Sequence, residues 1–147
     1  MPVITRDVLI QGFRRDDLLD WISDLDNHDR ILQGSFHEVN RTGDREWEFT
    51  LKTSIRTWRI GYVFESVDME HGGRRLLCRT VGKRVDGKLH YSLRTMKPST
   101  NTMVTLHADY SSGTVLGRML NQALIQETLE AGYQRILDNL EEAVANR

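Results

Sequence analysis

Residues Thr114 to Asn146 read TVLGRMLNQALIQETLEAGYQRILDNLEEAVAN, and the reading of this stretch decides the fold. At 3.6 residues per turn, Val115, Met119, Leu129, Tyr133, Ile136, Leu137, Leu140 and Val144 form one apolar stripe. The spacing predicts a single unbroken helix over the whole stretch. Such a helix cannot bury its stripe alone, so it must lie across the elements that precede it. Those elements read as strands, and the pair describes a container.

Working back from the helix, the strand signals come in hairpins. Trp47, Phe49 and Leu51 alternate with polar residues, and Trp58, Ile60, Tyr62 and Phe64 do the same on the next strand. A turn near Ser54 and Ile55 sets Leu51 opposite Trp58 and Trp47 opposite Tyr62, placing both apolar sets on one face. Gly72-Gly73 and Asp86-Gly87 are read as turns bounding a strand with Leu76, Cys78 and Thr80. Leu89, Tyr91, Leu93 and Thr95 follow, and a turn centred on Ser99 and Thr100 sets Leu93 opposite Leu106 and Tyr91 opposite Ala108. Before all this come a strand over Val3 to Phe13, a short helix capped by Asp16 or Asp17, and a second from about Asp26 or Asn27 to Gly34. The expected fold is α+β: seven antiparallel strands in a twisted sheet wrapped around the terminal helix, with two short helices after the first strand.

At 147 residues one domain spanning 1–147 is expected. A net charge of -1 gives no bulk attraction to nucleic acid or to membranes. The strip Arg74, Arg75, Arg79, Lys83 and Arg84 lacks interleaved exposed aromatics, so solvation or an acidic partner explains it better than a nucleic acid. No apolar run is long enough for stable membrane insertion or shaped like a signal peptide, and the lone Cys78 cannot form an internal disulfide. A cytoplasmic setting is expected.

The order of elements resembles the START-like superfamily, also called the helix-grip or birch-pollen-allergen fold, nearest to its bacterial polyketide cyclase/dehydrase and coenzyme Q-binding group. Trp21-Ile22-Ser23-Asp24 through Asn27-His28 to Ile31-Leu32-Gln33-Gly34 is similar to the short-helix pair of that group. Thr102-Met103-Val104-Thr105-Leu106 is similar to its last strand, and Leu116-Gly117-Arg118 to the start of its final helix. Asp29 and Gln33 stand where many relatives carry proline. The resemblance implies an internal apolar cavity between sheet and helix that accepts lipids, polyketides, quinones or other hydrophobic molecules. Its members divide among carriers, enzymes and interaction proteins, so fold alone does not choose.

The inward residues Trp47, Phe49, Trp58, Tyr62, Phe64, Cys78, Tyr91, Leu93, Leu106 and Tyr110 are the expected ligand-binding lining, with Met119, Gln122 and Gln126 contributed by the helix. Trp47, Trp58, Tyr62 and Tyr91 are expected to border one shared cavity. Gln122 and Gln126 interrupt the apolar stripe and would need a ligand, a water or a tyrosine as partner. The alternative is a local rotation of the helix, because Leu116, Leu120, Ala123 and Leu124 make a second apolar face. That face would pack on the short helices, on a second copy or on a protein partner.

Other constellations have plainer readings. Asp24, Asp26 and Asp29 around His28 are better explained by helix capping and solvation than by a metal. His90 and Asp109 are expected opposite one another on the outer face, as an ordinary cross-strand pair. Cys78 is read as a small buried hydrophobe rather than a nucleophile. With no glycine-rich phosphate loop and no ligand-spaced Cys/His set, no cofactor is expected. The first functional expectation is a carrier or sensor of a hydrophobic or amphipathic molecule. The second is a polyketide cyclase/dehydrase-type enzyme in which Tyr62, Tyr91 or a glutamine positions a carbonyl or proton, and the third is a protein-interaction module.

Overall fold

The computed structural model describes residues 3–54 and 56–146. Strand β1 (Val3–Ile10) leads into helices α1 (Arg15–Ser23) and α2 (Leu25–Leu32). Strands β2 (His37–Gly43), β3 (Glu46–Lys52), β4 (Thr57–Asp68), β5 (Arg75–Gly82), β6 (Val85–Met96) and β7 (Asn101–Tyr110) form a meander. Helices α3 (Val115–Met119) and α4 (Ala123–Ala145) close the chain. The sheet order is β1-β7-β6-β5-β4-β3-β2, antiparallel throughout, so the first strand returns beside the last and β2 is left as an edge. This is the expected helix-grip arrangement of a curved sheet around a C-terminal helix.

The β3–β4 register agrees with the alternation argument: Leu51 faces Trp58 and Trp47 faces Tyr62. Ile55, half of the expected turn, lies outside the described residues. The β6–β7 register differs by two residues. Leu93 faces Val104, Tyr91 faces Leu106, and the loop is Lys97 to Thr100, where the Asn101 N–H donates to the Pro98 carbonyl at 2.9 Å. A slip of two preserves the faces, so the inward set is unchanged. It does undo one pairing: His90 faces His107, and Asp109 faces Lys88.

Asp86-Gly87 is not a turn. The β5–β6 hairpin closes at Lys83-Arg84, with Gly82 paired to Val85, and Gly87 lies inside β6. A β-carbon there would sit 2.5 Å from Thr80 Oγ1 and 2.9 Å from Tyr110 Cδ1. Glycine is required at this position for the Tyr110 ring to pack down on the sheet, not for a bend.

The short helices start differently from expectation. Arg14 occupies the N-cap of α1 without a side-chain cap bond, while Asp16 and Asp17 lie in the first turn, where the helix dipole favours them. Asp24 caps α2, its carboxylate accepting from the Asp26 and Asn27 N–H groups at 3.0 and 3.1 Å.

The terminal helix is broken rather than continuous. Thr114 caps α3 through its hydroxyl, which accepts from the Gly117 N–H at 3.2 Å. Gly117 packs so closely on the Ser111 carbonyl that a β-carbon would collide with it. Helical backbone then stops, Gln122 adopts an extended conformation (φ -83, ψ 124), and α4 starts afresh. From Leu129 onward the predicted stripe is right: Leu129, Tyr133, Ile136, Leu137, Leu140 and Val144 are buried, joined by Ile125, Gly132 and Ala143. Before it, the phase is lost.

Candidate functional site

The inner face of the grip is aromatic and closed. Trp47, Phe49, Trp58, Tyr62, Phe64, Cys78, Tyr91, Leu93, Leu106 and Tyr110 are all buried there, as alternation placed them. Met119 is partly buried against this core. Gln122 and Gln126 are exposed, which corrects their expected interior position: the break before Ala123 rotates α4, and Gln126 Nε2 donates to Glu130 Oε1 at 3.1 Å on the solvent side. Leu116 and Leu120 are buried in the core, so of the expected second face Ala123 and Leu124, the latter 52% exposed, remain on the surface.

At the centre lies a chain of polar groups that begins on α2. His28, Ile31 and Leu32 form the buried face of that helix, and His28 is 0% exposed. Its imidazole sits among four rings, with centroids 5.4 Å from Trp47, 5.5 Å from Tyr62, 5.4 Å from Phe64 and 5.7 Å from Tyr91. Nδ1 lies 3.2 Å from the Ile22 carbonyl and Nε2 2.7 Å from the Tyr62 hydroxyl. The Tyr62 hydroxyl is also 2.8 Å from that of Tyr91 and 3.3 Å from Cys78 Sγ.

These distances fix the direction of every proton. A carbonyl can only accept, so His28 carries its proton on Nδ1 and donates to Ile22. Nε2 must then accept from Tyr62. Having spent its proton, Tyr62 accepts from both the Tyr91 O–H and the Cys78 S–H. Each group is satisfied by the next, which matters because a buried hydroxyl left unpaired costs about 1–3 kcal/mol.

The same burial sets the protonation states. Desolvation pushes His28 down from 6.5 to about 4, against the raising effects of the Ile22 carbonyl and the Asp29 carboxylate. It drives Tyr62 and Tyr91 well above the usual phenol value and Cys78 up to about 12. At neutral pH the whole chain of groups is therefore uncharged. Tyr110 and Tyr133 form a second buried pair joined through their hydroxyls, and burial raises Tyr110 to about 12 and Tyr133 well above the usual phenol value.

Sequence reasoning missed His28 as part of this centre. The usable signal was its helical spacing to Ile31 and Leu32, which puts it on the apolar face. The neighbouring carboxylates are each engaged: Asp24 caps α2, Asp26 pairs with Arg41 at 2.8 Å, and Asp29 accepts from Trp47 Nε1 and Gln33 Nε2, both at 2.8 Å. On the outer face His90 meets His107, ring centroids 4.7 Å apart, instead of Asp109.

The two largest clefts described open on the surface, and neither is lined by Trp47, Trp58, Tyr62 or Tyr91. One, of about 510 Å³, lies between the start of β1 and the α3–α4 break and includes Arg118, Asn121 and Gln126. The other, of about 460 Å³, lies between the Gly34–His37 loop, β3 and α4.

Comparison with solved structures bears on the architecture. A protein from Thermus thermophilus superposes with a TM-score of 0.62 at 17% identity, covering 99% of this chain and 98% of its own. Norcoclaurine synthase from Thalictrum flavum, solved in complex with dopamine and hydroxybenzaldehyde, gives 0.64 at 14% identity, covering 99% of this chain and 87% of its own. The di-domain ARO/CYC protein BexL of the BE-7585A biosynthetic pathway gives 0.63 at 14% identity, with the match spanning 99% of this chain and 47% of BexL. The chain thus shares the helix-grip fold of these proteins. No family model matches the chain, and no curated protein matches it in sequence. Among the described residues no helix is long and apolar enough to cross a membrane.

Proposed function

We propose that this chain binds a hydrophobic or amphipathic small molecule, as a carrier or sensor, between the inner face of the sheet and α4. The observation that carries the reading is the hydrogen-bonded centre of His28, Tyr62, Tyr91 and Cys78 inside an otherwise apolar grip. Fully satisfied, such a network rigidifies the wall of the grip. Hydroxyls in an aromatic shell are also the composition of a small-molecule site, where a few polar groups orient a mostly apolar guest. The small-molecule complex of norcoclaurine synthase and the ARO/CYC designation of BexL, both on this fold, support the same reading.

Binding is favoured over turnover by the protonation states. A general acid or base works best with a pKa near the operating pH. His28 at about 4 and tyrosines well above their usual value lie on opposite sides of it. In their neutral forms these groups are suited to holding and orienting a guest. An interaction module built on Leu116, Leu120 and Leu124 loses its surface, because two of the three are in the core.

Native mass spectrometry of the purified protein, followed by extraction of any co-purifying molecule, tests the reading. The expected result is a non-covalent one-to-one adduct of an apolar or amphipathic compound, retained less well by Tyr91→Phe. A protein that forms no such adduct, alone or with a panel of amphipathic aromatics and lipids, contradicts it.

A further inference from the structure

Phe36 and Gly132 are among the residues that line the 460 Å³ cleft. Phe36 precedes β2, and its ring lies flat against Phe49 of β3, centroids 4.2 Å apart and planes 16° apart. It meets the Tyr133 ring of α4 edge-on at 5.4 Å and 79°. Its Cε1 and Cζ atoms occupy the space a β-carbon on Gly132 would take. The ring thus fills a slot with one aromatic wall on the sheet, one on the helix and a floor made by the missing side chain of a helical glycine. Glycine in a helix interior costs roughly 0.5–1 kcal/mol relative to alanine. Here it makes room for a flat ring.

The helix position leaves this slot open on one side. Arg6 of β1 holds α4 through Gln134 at 2.9 Å, and Asn139 donates to the Ile31 and Gln33 carbonyls at 3.0 Å each. These bonds pin α4 toward β1 and α2. Toward β3 no comparable bond is present among the described residues, and Phe36 occupies the gap. Its backbone is also weakly held. Gly34 has φ +77 and Glu38 φ +52, and β2 pairs with β3 through two register shifts on an exposed edge.

We propose that the Phe36 ring is a displaceable plug, and that the slot between Phe49, Gly132 and Tyr133 takes up a flat aromatic molecule of one or two fused rings in its place. The stacking and edge contacts that hold Phe36 are those that any planar ring of that size would make. The Tyr133 ring that borders the slot carries a hydroxyl, paired with that of Tyr110, which suits a guest with a small polar substituent such as a phenol. The inference rests on the binding reading above and narrows its ligand class. Because the plug must leave first, the apparent affinity of the parent is lowered by the fraction of time the slot is empty, and removing the plug should raise it about tenfold or more.

The test uses 2-naphthol with the intact chain and with Phe36→Ala, following affinity by fluorescence and contacts by intermolecular nuclear Overhauser effects. In the parent, naphthol protons should contact the Phe49 and Tyr133 rings while Phe36 loses its contact with Gly132. Phe36→Ala should bind about tenfold tighter through the same contacts. Phe36→Leu, which keeps bulk but not flatness, serves if the alanine variant does not fold, and should also bind more tightly than the parent. Naphthol bound elsewhere with Phe36 seated overturns the slot and leaves the binding reading standing. Binding by the alanine variant with none by the parent also overturns it, because the slot is then only a cavity made by truncation. If no form binds naphthol the slot proposal fails, and native mass spectrometry of the same samples decides separately whether the binding reading fails with it.

Discussion

The His28–Tyr62–Tyr91 centre and the Phe36 slot lie under the same sheet and are held by different forces. The first is a chain of directed hydrogen bonds between fully buried groups. The second is ring contact alone, on a half-buried side chain at the start of an irregular edge strand. Opening the first would strand several polar groups at about 1–3 kcal/mol each, whereas withdrawing Phe36 forfeits only apolar contact. The difference places rigidity at the centre of the grip and access at its β2 side.

Acid should break the centre, and this is the largest effect expected. His28 titrates at 6.5 when unfolded and at about 4 when folded, so folding favours the neutral ring. Stability is full above pH 6.5 and falls as pH drops through the folded value, because the unfolded chain takes up a proton that the folded one refuses. The total is about 3 kcal/mol. Urea midpoints at about pH 7.5 and about pH 4.5 should show the loss in the parent and a clearly smaller one in His28→Gln.

Tyr62→Phe removes the oxygen that serves three partners, leaving His28 Nε2 and the Tyr91 hydroxyl unpaired. It should cost about 1–3 kcal/mol in urea unfolding. Phe36→Ala should cost less, about 1–2 kcal/mol, since its ring is only partly buried and carries no hydrogen bond. If the order of these two variants were reversed, the centre would not be the rigid element. The double variant Gln122→Leu/Gln126→Leu, on the solvent side of α4, should stay within about 0.5 kcal/mol of the parent.

The legibility of the fold followed the range of the interactions. Alternation along β3 and β4 is local, and it put Trp47 across from Tyr62 directly. Residues Leu129 to Val144 have a helical period undisturbed by anything outside α4, so their stripe was readable as well. The break at Gln122 was not, because it accompanies the packing of Gly117 on the Ser111 carbonyl, a contact invisible to periodicity. Asp86-Gly87 carries a strong local turn signal, overridden by the need to seat Tyr110 over Gly87. The acidic sequence neighbours of His28 say nothing of its surroundings, which are rings on β3, β4 and β6. Phe36 carries no signal in the sequence, since a lone phenylalanine before an edge strand has no period.

Amide hydrogen exchange with and without 2-naphthol tests the contrast between the two regions most directly. Without ligand, residues 34–43 should exchange fast while the strand cores of β4, β5 and β6 stay protected, and ligand should slow exchange in 34–43 and along α4 around Gly132. Ligand-dependent protection confined to β4–β6, with residues 34–43 unchanged, would contradict an entry at Phe36 and place the opening at the polar centre.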